Sequence, residues 1–128
     1  MKIKSYKDLS VWQKAMHLVE ECYRLTDAFP RNEEFGLKSQ MRGAAVSIPS
    51  NVAEGSVRRS SNEYCRFLSI ALGSSAELET QIELGRRLGL MPDEEAFQLT
   101  EECQEVGRML NGLRVSISKH GFARPAYS

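Results

Sequence analysis

The sequence predicts an all-α protein, an up-down-up-down antiparallel four-helix bundle with a proline-kinked second helix. Three observations carry that expectation. Four long segments repeat apolar residues at helical spacing. No stretch alternates apolar and polar residues with β-branched enrichment, and no Asn-Gly or Asp-Gly hairpin turn occurs. The links between segments span only about three to five residues, which makes consecutive helices antiparallel neighbours. With 128 residues, 41% of them hydrophobic, the chain suits one domain over 1–128. Its ordered core is expected over about 8–118, followed by a flexible tail over about 121–128.

The first segment runs from Leu9 to Phe29, with Asp8 placed to cap it. Pro30 stops it, because the residue before a proline is pushed out of the helical region. At 100° per residue its apolar side chains fill a sector of roughly 200°, whereas a helix facing a single core needs only about 100°. The surplus is assigned to Val11, Leu18 and Leu25, spaced by seven as in a helix–helix seam, and these three are the expected oligomer interface.

The second segment runs from Glu33 to Val57 after Asn32 as a cap. Pro49 cannot donate to the Ala45 carbonyl and its ring crowds that turn, so a kink or short break is expected. Ser47, Ser50 and Asn51 are short polar side chains suited to serve the freed backbone groups. Glu54 is expected to be partly buried and paired with Arg42 or Arg58.

Ser60 and Glu63 open the third segment with capping-box spacing, and it ends near Gly89. Its core stripe is Tyr64, Phe67, Ala71, Leu78 and Ile82, with Gly73-Ser74-Ser75-Ala76 a patch of small residues at its middle. The fourth starts with Pro92 as a first helical residue. Asp93, Glu94 and Glu95 then lie at the positive end of the helix dipole. Its stripe is Ala96, Leu99, Cys103, Val106, Leu110, Leu113 and Ile117, fading near Ser118.

Charge and chemistry narrow the function classes. The chain is neutral, 17 basic against 17 acidic residues, but unevenly so. Residues 36–66 carry five cations (Lys38, Arg42, Arg58, Arg59, Arg66) and two acids, whereas residues 77–105 carry nine acids and two cations. Residues 106–128 carry Arg108, Arg114, Lys119 and Arg124 with no acid. A neutral protein can therefore present a basic face. Cys22, Cys65 and Cys103 form an odd set without CxxC spacing, which points to reduced thiols in a cytoplasm. No run of 18 apolar residues could span a membrane, and the basic start of the chain has no apolar stretch after it to make a signal peptide. Carboxylate-bridged metal bundles need Glu-x-x-His on two helices. The chain has only the reversed His17-x-x-Glu20, on a polar face, and His120 lies near the end. A Gly-rich phosphate loop and a nucleophile elbow are both absent from the sequence. No catalytic, cofactor-binding or metal-ligating residues and no cofactor are expected, and the protein is read as a non-enzyme.

Two phrases, Asp8-Leu9-Ser10-Val11-Trp12-Gln13-Lys14-Ala15 and Ser47-Ile48-Pro49-Ser50-Asn51-Val52-Ala53-Glu54-Gly55, resemble the four-helix-bundle proteins of the 23S ribosomal RNA intervening-sequence family. Phe29-Pro30, Phe35-Gly36-Leu37, Gln40-Met41-Arg42, Arg66-Phe67-Leu68 and Ala71-Leu72-Gly73-Ser74 fit the same pattern in order. The chain is also similar to the accessory protein of diversity-generating retroelements. The resemblance implies a bacterial four-helix bundle that assembles as a homopentamer around a central channel and associates with nucleic acid.

The functional expectation is a non-enzymatic oligomer associated with RNA or nucleoprotein through Arg42, Arg58, Arg59 and Arg66, joined by Lys2, Lys4 and Lys7. The alternative is a protein–protein interaction scaffold without nucleic-acid binding, for which the acidic 77–105 region is as suitable a contact as the basic one.

Overall fold

The computed structural model describes residues 5–121, and every regular element among them is helical. Lys2, Lys4 and the tail beyond Gly121 lie outside the described residues. A 3-10 turn over Tyr6–Asp8 leads into α1 (Ser10–Thr26), and a second over Arg31–Glu33 precedes α2 (Leu37–Ser56). α3 (Ser61–Arg87) and α4 (Asp93–His120) complete the bundle.

Residue pairings give the direction of each helix. Leu37 lies against Gly85, Ser47 against Ser74 and Gly55 against Phe67, so α2 and α3 run antiparallel. Cys65 meets Arg114 and Ser75 meets Cys103, so α4 opposes α3. Lys14 meets Glu105 and His17 meets Glu102, so α1 opposes α4. Arg42 reaches back to Tyr23 and closes α2 onto α1. All four helices feed one core, whose most enclosed large side chains include Leu18, Met41, Ile48, Leu68, Leu78, Ile82, Leu99 and Leu110.

The helix ends depart from the sequence reading where 3-10 turns intervene. Asp8 belongs to the first turn, and α1 starts after Leu9 without a side-chain cap. Asn32 likewise sits in the second turn; Gly36 is the cap of α2, and Glu33 Oε1 accepts the Leu37 N–H at 3.1 Å. The Ser60 hydroxyl does accept the Glu63 N–H, at 3.1 Å, while the Glu63 carboxylate approaches that hydroxyl rather than the Ser60 backbone. α3 closes by bonds from Leu90 N–H to the Gly85 carbonyl and from Gly89 N–H to that of Arg86. Gly89 adopts φ +74° there, a conformation that side chains with a Cβ resist. Pro92 is the cap of α4 rather than its first helical residue, so the helix begins at Asp93, one residue later than expected.

α1 brings the main correction. Val11, Leu18 and Leu25 are 5%, 1% and 8% exposed and pack into the chain's own core, so they are not the surface left for a partner. Ala15 and Cys22 lie beside them on the wheel, on the side toward Val19 and Trp12, and these small, fully buried side chains let the other helices close over that stripe. The apolar sector is wider than one core covers, but the surplus is its opposite edge. Met16 and Tyr23 are 37% and 41% exposed, and Trp12 and Val19 are half-buried.

α2 is helical through Pro49 without a break. Asn51 Nδ2 donates to the Ser47 carbonyl at 2.8 Å, and the Ser47 and Ser74 hydroxyls bond each other at 2.8 Å. These side chains tie a turn to α3 instead of serving the Ala45 carbonyl, and Ser50 is exposed. Glu54 is exposed as well, 3.9 Å from Arg58, so the burial expected for it is not found.

Candidate nucleic-acid interface

Antiparallel order gathers the starts of α1 and α3 and the ends of α2 and α4 at one end of the bundle. Three of the four expected cations meet there. Arg58 and Arg59 occupy the α2–α3 junction, and Arg66 follows in the second turn of α3. The guanidinium carbons of Arg58 and Arg66 lie 4.7 Å and 4.6 Å from the centroid of the same Phe67 ring. Stacking on a ring fixes the plane of a guanidinium, and Arg58 also stands 3.9 Å from the exposed Glu54 carboxylate. Gly55 makes the arrangement possible: a Cβ there would stand 2.8 Å from Phe67 Cβ, so only glycine lets the end of α2 come this close to α3. Arg59 is exposed. Lys7, in the turn before α1, is also exposed at this end.

Arg42 does not join them. It stands near the start of α2, at the opposite end. Its Nε donates to Thr26 Oγ1 at 2.9 Å, and its Nη2 donates to the Tyr23 carbonyl at 3.1 Å and lies 3.8 Å from Asp27. Its guanidinium covers the Tyr23 ring at 4.2 Å. The side chain is consumed in tying the end of α1 to α2, which removes it from the expected nucleic-acid contacts.

Two cations absent from the expectation take its place. Arg114 and Lys119, on the last turns of α4, line a groove with Arg66, Ser69 and Ser118. Arg66 and Arg114 are 48 positions apart, beyond any local motif. The acid-free stretch from residue 106 onward was the signal that could have found them. At the opposite end Arg24, Arg42, Lys38, Arg86 and Arg87 each sit against a carboxylate, with Arg31 the exception, so positive charge there is largely neutralised.

Two other surfaces stand out. An apolar groove between α1 and α2 is lined by Tyr6, Trp12, Met16, Val19, Val46, Pro49 and Ala53, with Ser50 the polar member. On α4, Gln98, Glu101, Glu102, Gln104 and Glu105 line an acidic groove in which Arg108 is the one cation.

The two buried thiols, Cys22 and Cys103, are poor nucleophiles. Burial pushes Cys22 up to about 11, the nearby Arg42 charge opposing, and pushes Cys103 up to about 12 with help from Glu79. Cys103 donates to the Ser75 carbonyl at 3.2 Å. Among the described residues no cluster of His, Cys, Asp or Glu could hold a metal ion, and no helix is long and apolar enough to cross a membrane.

A family model described as 23S rRNA-intervening sequence protein matches residues 7–112. A crystal structure of a protein with unknown function from the S23 ribosomal protein family of Bacteroides thetaiotaomicron superposes with a TM-score of 0.74 at 21% identity, covering 81% of this chain and 97% of that one. At that identity the likeness speaks to the fold. No curated protein matches.

Proposed function

This chain belongs to the 23S rRNA-intervening sequence protein family, and from that premise we propose a non-enzymatic helical bundle that assembles with copies of itself and associates with RNA through its basic end. The observation that carries the RNA reading is the gathering of Arg58, Arg59, Arg66, Arg114 and Lys119 at one end of a chain whose overall charge is zero. Phosphate contacts of this kind supply most sequence-independent affinity. Aromatic side chains do not serve it: Phe67 is 7% exposed and Tyr64 2%, so bases have no platform to stack on. Each subunit offers few cations, and a closed ring multiplies them, since tethered contacts raise avidity by about 10²–10⁴.

The oligomer contact belongs on the outer face of α1 and α2, where Met16, Tyr23 and Val46 are 37–41% exposed beside half-buried Trp12 and Val19. Five subunits follow from the family resemblance. The free cysteines suit a reducing cytoplasm. The acidic groove on α4 supports a second reading, a scaffold for a basic protein partner.

Structured RNA titrated at several salt concentrations, against wild type and Arg58→Ala/Arg59→Ala, tests the first reading. Affinity is expected to fall steeply with salt and the variant to lose most of it. Absence of binding at low salt moves the reading to the scaffold. Light scattering after size exclusion tests assembly, with Met16→Glu expected to dissociate the oligomer and keep its helicity. A monomeric wild type at micromolar concentration rejects it.

A further inference from the structure

The groove between α3 and α4 at the basic end, about 410 Å³, has a composition that goes beyond general positive charge. α3 supplies Arg66 and Ser69, and α4 supplies Arg114, Ser118 and Lys119, with Val115 as an apolar wall. None of the three cations is in an ion pair among the described residues, unlike most of the cations elsewhere on the bundle. Arg114 is nevertheless held in place. Its Nη2 donates to Asn111 Oδ1 at 2.7 Å and its Nη1 to Ser69 Oγ at 3.3 Å. Both partners are neutral, so its charge stays uncancelled. Because Ser69 Oγ accepts from Arg114, its own proton is left to point at a ligand. Arg66 is fixed from the other side by its stacking on Phe67.

Two oriented guanidiniums, an ammonium and two hydroxyls around one open groove match a small anion with several acceptor oxygens. We infer that this groove seats a single phosphate group. The inference rests on the RNA reading above, under which the group is a backbone phosphodiester; a free phosphorylated small molecule offers the same chemistry. No aromatic residue lines the groove, so the seat holds RNA regardless of base.

The test uses isotope-labelled full-length protein with two probes, inorganic phosphate and a hairpin RNA. Amide shifts of Ser69 and Ser118 are followed in both titrations, and RNA affinity is measured against salt for wild type, Arg114→Ala and Lys119→Glu. Lys119 is exposed near the end of α4 and carries no ion pair among the described residues, so its reversal keeps the fold even if Arg114→Ala loosens it. Both probes are expected to move both amides. Each variant is expected to weaken RNA binding on the order of tenfold and to reduce the salt slope by about 1 per seat lost. Phosphate shifts without RNA binding uphold the seat, assign it to a small phosphorylated ligand and retire the RNA reading. RNA binding with unmoved amides and an unchanged slope in both variants overturns the seat and leaves the RNA reading standing.

Discussion

Replacing Arg42 with alanine tests whether this arginine is a structural tie or an RNA contact. It makes two charge-assisted hydrogen bonds to α1, at 2.9 Å and 3.1 Å, to residues 16 and 19 positions earlier in the chain. Hydrogen bonds to charged groups contribute about 1.5–3 kcal/mol in protected settings. Here the side chain is 23% exposed, and Asp27, its 3.8 Å ionic neighbour, is 83% exposed, so that pair adds little. Thr26 Oγ1 keeps its own bond to the Cys22 carbonyl at 2.7 Å, so the substitution leaves no buried hydroxyl without a partner. The expected loss is about 1–2 kcal/mol of unfolding free energy, or a melting temperature lower by roughly 4–8 °C for a domain of this size. Lysine should recover less than half, because one ammonium cannot donate in two directions and stack on Tyr23. Urea and thermal melts followed by far-ultraviolet circular dichroism measure the loss. A cycle with Thr26→Val should give a coupling of about 0.5–1 kcal/mol. An Arg42→Ala protein as stable as wild type, or one that loses RNA affinity at unchanged stability, refutes the reasoning.

Gly55→Ala should destabilise by about 1–3 kcal/mol, since its Cβ would meet Phe67 Cβ at 2.8 Å and Tyr64 Cδ1 at 3.1 Å. Gly73→Ala, with nothing within 4 Å of its new Cβ, should stabilise by roughly 0.5–1 kcal/mol; equal melting temperatures for the two variants would contradict this. Bonds from Arg86 and Arg87 hold the Glu83 carboxyl down at about 2. A folded value below the unfolded one of 4.5 gives stability that is complete above that pH and is lost as pH falls toward 2, so Glu83→Gln should flatten the melting curve against pH across that window, and an unchanged slope counts against the pair. Cys22 and Cys103, raised to about 11 and about 12, should resist alkylation at pH 8 in the native protein while Cys65 reacts first. Mass spectrometry of the labelled protein reads the order, and prompt labelling of Cys22 would overturn it.

What the sequence made legible was local. The capping contact of Ser60 lies three residues from its donor, and Gly89 marks the end of α3 by its own backbone freedom. The starts of α1 and α2 were misplaced because 3-10 turns with no apolar period precede them. The wheel of α1 showed an apolar sector too wide for one core, but it holds no information about how α2 and α4 lean on that sector. Which edge stayed outside was therefore settled only by packing, through Ala15 and Cys22. The same limit governs the basic end. Arg58 and Arg59 are neighbours in the chain and could be grouped by eye. The meeting of Arg66 with Arg114 depends on the register of two long helices, and the diversion of Arg42 depends on where α1 happens to stop.

Uneven charge on a neutral molecule has a solution consequence. Near the sequence isoelectric point of about 6.7 the bundle has no net repulsion to keep copies apart. Its cationic end can then meet the acidic flank of another copy over residues 77–105. Such a head-to-side contact uses two different patches and does not close on itself, so it propagates into open chains. Turbidity is therefore expected at low ionic strength, growing with protein concentration. It should clear on adding about 0.1 M salt, where charges more than about 10 Å apart no longer sense each other. Any apparent particle size measured in dilute buffer would mix this open association with the closed oligomer proposed above. The two separate by salt alone, because an apolar interface survives it.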